Sequence, residues 1–170
     1  MYDKTVTVFN YYESPTSGDA MWYPHILHNV DLNTDRGAII KKYGADSTDN
    51  AQLHIPYYMH ATNPDVDGIM ISTEDGMIPW RSPKEWKRQT NDKLAESITF
   101  GPDDFFWEDE WTGGEVNDRD YRNGFYQYMN NAHDFVFKIT STGGPYTVIP
   151  HFEILGFRRS QPLLRRAPPA

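Results

Sequence analysis

Residues 134–156, DFVFKITSTGGPYTVIPHFEILG, decide how the rest of the chain is read. Phe135, Phe137 and Ile139 alternate with Val136, Lys138 and Thr140, the period-two pattern of a half-buried strand. Gly143-Gly144-Pro145 predicts the turn that follows. Beyond it Tyr146, Val148 and Ile149 lead into Phe152, Ile154 and Leu155, and Pro150 breaks the run. A proline has no N–H for a ladder bond, so Pro150 points to an edge or a bulge. The stretch therefore predicts a closing β-hairpin, with no catalytic group placed as an enzyme needs it.

Working outward, Thr5 to Tyr12 alternates as a first strand, and Ser14 to Asp19 is a turn. Met21 to Leu32 is an irregular second strand. Thr34 is placed to cap a short helix, Asp35 to Tyr43, ended by Gly44, with polar loop from Ala45 to Asn50. Gln52 to Tyr58 is a strand interrupted by Pro56, Asn63 to Gly68 a turn, and Ile69 to Ser72 another strand. Ser82-Pro83-Lys84-Glu85 is a capping box opening a brief helix through Trp86 and Lys87. Ser97 to Gly101 and Asp104 to Glu108 read as strands, and Asn117 as the cap of one helix reaching Asn130. Tyr121, Phe125, Tyr128 and Met129 share a face of that helix. Seven or eight short strands without βαβ alternation predict a mainly β fold. The form is a small antiparallel barrel, or a sandwich, with two or three short helices and long loop insertions.

The 170 residues suit one domain over 1–157, followed by a basic, proline-rich tail over 158–170 expected to be disordered alone. The net charge is −8; the tail holds four arginines and no acid, which leaves −12 on residues 1–157. Such a body repels phosphates, which argues against specific nucleic-acid binding. The absence of cysteine excludes disulfides, zinc-thiolate sites and cysteine nucleophiles. No run approaches the ~20 apolar residues of a membrane span, and the N-terminus lacks a signal-peptide core. A soluble product made inside a cell is expected.

Asn63 to Glu74 has the oxygen spacing of a calcium loop, with Gly68 at the sixth place. The flanks, His54 to Tyr58 and Gly76 to Pro79, are strand-like and broken by proline where an EF-hand needs helices. A polar hairpin turn is the plainer reading. Asp31 to Lys42 misplaces the glycine and ends on lysine, so it is read as a helix entrance. Among the six histidines, His25 and His28 fall on opposite faces of a strand, and no HExxH appears. His151 is either a plain surface histidine or a contact to a neighbouring chain. Asp103, Asp104, Glu108, Asp109 and Glu110 surround Phe105, Phe106, Trp107 and Trp111. Three readings compete there: a glycosidase carboxylate pair, a solvated acidic loop, and exposed aromatics forming an interface. No nucleophile elbow, phosphate loop or dinucleotide fingerprint is present. No residue is assigned as catalytic, cofactor-binding or metal-ligating.

Lys4 to Asn10, Trp22-Tyr23-Pro24, Pro83 to Trp86, Phe100-Gly101 with Asp104-Phe105-Phe106, and Gly144-Pro145-Tyr146 through Pro150 to Ile154 occur in this order. Together they resemble the minor capsid or head-to-tail connector (stopper-like) structural proteins of tailed phages and prophages of gut Firmicutes, over roughly residues 2–157. The chain departs from that pattern at Ser82, where a second proline is usual, and in the tail. The resemblance implies a non-enzymatic virion protein, assembled in the host cytoplasm into a ring at the neck. Its partners would be its own copies and the portal, adaptor and tail proteins, with genomic DNA only passing through the lumen. It implies no cofactor, membrane or small-molecule substrate. Another neck or tail component, such as a terminator or adaptor, and a carbohydrate-binding β-sandwich are the alternatives.

Overall fold

β1 (Lys4–Glu13) and β2 (Ala20–Thr34) form a long antiparallel hairpin. The computed structural model describes residues 1–34, 48–59 and 68–159. The helix predicted over Asp35 to Tyr43, most of the turn at Asn63 to Gly68, and the tail from Ser160 lie outside them. β3 (Thr48–Pro56), β7 (Phe105–Trp107), β9 (Val136–Tyr146) and β10 (His151–Arg159) complete a sheet in the order β1-β7-β9-β10-β3-β2. Because β2 also pairs with β1, the sheet closes into a six-stranded antiparallel barrel. β8 (Val116–Asn117) adds to β2 at Trp22 and Met21, where β3 no longer reaches. β4 (Tyr58–Met59), β5 (Ile69–Thr73) and β6 (Gly76–Pro79) make a separate small sheet.

Alternation fills the interior with Val6, Val8, Leu27, Leu53, Ile55, Phe106, Phe137, Ile139, Phe152 and Ile154, all buried. The alternation of β2 slips once. The pairing jumps from Val6↔Leu27 to Lys4↔Val30, so His28 and Asn29 oppose Thr5 alone. Asn29 adopts φ 59°, the left-handed conformation that asparagine tolerates, and the bulge restores Val30 and Leu32 to the core. This bulge is the physical source of the irregular pattern in the sequence.

A second, aromatic layer covers the outer faces of β1, β7 and β9. Phe9, Trp22, Phe105 and Val136 pack there against Phe125 and Met129 of the helix α3 (Phe125–Ala132). Two short helices, α1 (Pro83–Lys87) and α2 (Asn91–Leu94), cover a third spot, where Trp86 and Leu94 pack on Tyr23. Ser82 opens α1 as expected, but its hydroxyl donates to the Glu85 carboxylate at 2.8 Å rather than capping a backbone N–H.

Three expectations need correction. The single helix from Asn117 to Asn130 is instead a 3₁₀ turn, Asp118–Asp120, followed by α3. Asn117 caps the turn through Arg119 N at 3.0 Å, and Gly124 breaks the path at φ 88°. Asp118 then supplies a fresh cap, accepting Phe125 N at 2.8 Å. Ser97 to Gly101 is buried but is not a strand; its one bridge is Ile98 to Trp80. The Asn10 side chain satisfies Thr99 in place of a ladder, donating to its carbonyl at 2.7 Å and accepting its N–H at 3.2 Å. Finally, Gly143-Gly144-Pro145 is not the hairpin turn. β9 runs on to Tyr146, absorbing the extra residues as a bulge between Glu153↔Gly143 and His151↔Tyr146, and the chain reverses over Thr147 to Pro150. A Cβ at Gly143 would meet the Tyr146 hydroxyl, the far end of an exposed side chain that would have to swing aside.

Candidate functional site

Two surfaces stand out, one polar on the covered side and one apolar at an end of the barrel. The polar one is a cleft of about 290 Å³ between the barrel and α3, lined by Tyr11, Asp103, Asp118, Asn123, Tyr126 and Lys138 among others. β9 points Lys138 outward into the aromatic layer, with its ammonium 5.2 Å from the Tyr126 ring and 6.0 Å from that of Trp22. It donates to the Asp103 carbonyl at 3.1 Å. Burial pushes the Lys138 pKa down, and the negative charges of Asp104 and Asp103 partly offset this. Burial likewise pushes the phenols of Tyr11 and Tyr126 up. Asp118 closes the cleft, its Oδ1 accepting the Trp22 indole N–H and Phe125 N, both at 2.8 Å. This arrangement can hold a hydroxyl-rich ligand against Tyr11 and Tyr126 (two rings and several hydrogen-bonding groups).

Asp104 lies beneath this cleft, fully buried. Its Oδ1 accepts Tyr11 N and its Oδ2 accepts Gly101 N, both at 2.9 Å. Desolvation nevertheless outweighs these bonds and the nearby Lys87, raising its pKa to about 7. The acidic run at 103–110 is therefore not one solvated loop, and Asp104 is sealed from any substrate. Phe105 and Phe106 are not interface groups either. One faces the aromatic layer and the other the barrel interior, and both are fully buried. Asp103 does face solvent and pairs with Lys87.

The histidines scatter as a strand period demands. His25 is buried, with its Nε2 lacking a partner among the described residues, and burial drives its pKa down to about 4. His28 is on the opposite, exposed face. His133 packs against Trp107, ring centroids 4.6 Å apart and planes tilted by 40°, and His60 lies outside the described residues. His54 and His151 flank Glu153 on the solvent face of β3 and β10, at 3.9 and 3.2 Å from its carboxylate. The Ile149 carbonyl and then Glu153 raise the His151 pKa.

The apolar surface is built by the hairpin tip and β4. Tyr57 ties them together, donating its hydroxyl to the Tyr146 carbonyl at 2.8 Å and its N–H to the Pro150 carbonyl at 3.3 Å. Beside this junction Tyr58, Met59, Tyr146, Val148 and Ile149 are exposed, Val148 at 95% and Ile149 at 69%. The sequence placed Val148 and Ile149 inside the second strand. Pro150 is what ejects them, because it ends the pairing one residue before His151.

Residues 1–157 match the model of a family described as Family of unknown function (DUF6751). The chain belongs to this family. The match ends at Phe157, just before the first arginine of the tail. It takes in every element described above, except the last two residues of β10. No curated protein and no solved structure matches the chain. Among the described residues, no helix is long and apolar enough to cross a membrane.

Proposed function

We propose that the chain is a non-enzymatic structural protein of a phage particle. In this reading it assembles as a ring at the neck between portal and tail, as a head-to-tail connector, stopper or minor capsid protein. The observation that carries the reading is the apolar end of the barrel, where Val148, Ile149, Tyr146, Tyr58 and Met59 are exposed together on an otherwise acidic body. A protein acting alone gains nothing from holding such side chains in water, whereas a subunit buries them against its neighbour. The resemblance in the motifs supports the same reading. The net charge of −8 suits a lumen past which DNA slides without sticking.

The test is the pair of substitutions Val148→Asp and Ile149→Asp, made together in the phage or prophage that encodes the chain. Both side chains are exposed, so the purified variant should unfold at the temperature of the parent. Its incorporation into particles should be lost. Normal incorporation would remove the hairpin tip from the assembly surface.

The cleft at Tyr11, Tyr126, Asp118 and Lys138 favours a second reading, a carbohydrate-binding accessory domain. Glycan-array binding that Tyr126→Ala abolishes would establish it, and an array without a hit would dismiss it.

A further inference from the structure

We propose that His28, Glu74 and Glu110 form a binding site for a divalent transition-metal ion of the zinc type. Their ligand atoms all lie within 4.8 Å of one another, although they come from three separate parts of the chain. His28 stands on the β2 bulge, Glu74 on the turn between β5 and β6, and Glu110 in the loop after β7.

The backbone under each group is fixed by contacts outside the cluster. Alternation from the inward Leu27 turns His28 outward, and its Nδ1 lies 3.0 Å from Thr5 Oγ1. With Nδ1–H donated to that hydroxyl, the lone pair of Nε2 faces the two carboxylates, the usual arrangement for a metal-bound imidazole. Glu74 N donates to the Ile26 carbonyl at 2.9 Å, which anchors the β5–β6 turn to β2. Glu110 is bracketed by the buried Thr7 hydroxyl, which donates to the Asp109 carbonyl at 2.7 Å and accepts Trp111 N at 3.0 Å.

The chemistry selects the ion. His28 Nε2 and Glu74 Oε1 are 3.2 Å apart. Two ligands at ~2.05 Å from a tetrahedral zinc ion stand about 3.3 Å apart, so this pair already has the required separation. One imidazole and two carboxylates leave a fourth position for water. Calcium and magnesium favour oxygen-only shells, so the imidazole disfavours them. Two carboxylates held this close also repel each other, and a dication removes that cost. Bound there, the ion joins the small sheet and the 108–111 loop to the β1–β2 hairpin. Glu74, the last place of the calcium-like spacing, thus turns to an imidazole on β2.

The test is calorimetric titration of the chelator-treated full chain with zinc chloride, and separately with calcium chloride. One zinc ion per chain should bind with micromolar affinity, and calcium should not bind below millimolar concentration. His28→Gln and Glu110→Gln should each weaken zinc binding by about tenfold or more. The double variant His54→Gln/His151→Gln should leave it unchanged. All these side chains are at least partly exposed, so the metal-free variants should unfold at the parent's temperature. Zinc should then raise the unfolding temperature of the parent and of the His54/His151 variant equally, and that of His28→Gln and Glu110→Gln by less. Three results would overturn the site: no zinc binding tighter than millimolar, binding insensitive to His28→Gln and Glu110→Gln, or binding removed by the His54/His151 variant.

Discussion

On one side of the barrel, β1, β7 and β9 are buried on both faces; on the other, among the described residues, β3 and β10 bury only one. Val8, Phe106 and Phe137 fill the interior while their neighbours Phe9, Phe105 and Val136 fill the aromatic layer beneath α3. On β3 and β10 the outward residues are Gln52 and Leu155, exposed, and His54 and Glu153, half-buried. The contrast teaches where this fold keeps its stability and where it is free to change. The covered side is a two-layer core whose charges, Asp104 and Lys138, are desolvated and held by specific bonds. The bare side carries its charges where solvent screens them.

The largest expected effect sharpens that contrast. Phe125 is fully buried and touches Phe9, Trp22, Phe105 and Trp111. Phe125→Ala should therefore cost about 3–5 kcal/mol in denaturant unfolding, through lost burial and a cavity. Similar small losses from Phe125→Ala and a bare-side substitution would mean that the aromatic layer is not part of the core.

The buried titrating groups come next, and their signs oppose. Asp104 has a folded pKa of about 7 against 3.8 for an ordinary aspartate, so the native state holds a proton that the unfolded state releases. Its contribution is present below pH 4 and is lost as pH rises to 7, by roughly 4 kcal/mol. His25 has a folded pKa of about 4 against 6.5. Its contribution is present above pH 6.5 and is lost as pH falls to 4, by roughly 3 kcal/mol. In the parent chain the two trends largely cancel between pH 4 and 6.5. His25→Phe should expose a stability that falls with rising pH, and Asp104→Asn one that rises. Parallel curves for the parent and both variants, followed by urea unfolding at each pH, would contradict this pairing.

The smallest effect belongs to the bare side. Leu155 points outward from β10 and is 44% exposed, so Leu155→Ala should stay within about 0.5 kcal/mol of the parent. A loss of several kcal/mol would show that this face is covered too.

Much of the fold was legible in the residues, because alternation in β1, β9 and β10 states both the strands and their inward faces. What was hidden has local causes. The run Phe105-Phe106-Trp107 reads the same whether its aromatics are exposed or buried on two sides, since a doubly covered strand has no polar face to mark it. The Ser97 to Gly101 segment looks like a strand because it is buried, yet its partner is the Asn10 amide, which leaves no pattern. Asn117 and Asp118 are both good caps, and only Gly124 hints that the chain uses them in succession. The cluster of His28, Glu74 and Glu110 was illegible for a different reason. Its members are far apart in the chain, on three separate elements, and no local pattern links them. The apolar hairpin tip was half legible, since Pro150 announced a break without saying that Val148 and Ile149 would be left in water.

Cryo-electron microscopy of the phage particle proposed to contain this chain tests the central claim most directly. The account predicts a ring of these barrels at the neck, with the 146–150 hairpin tip and Tyr58-Met59 buried against an adjoining subunit. A complete neck reconstruction without the chain, or a ring in which that tip faces solvent, would contradict it.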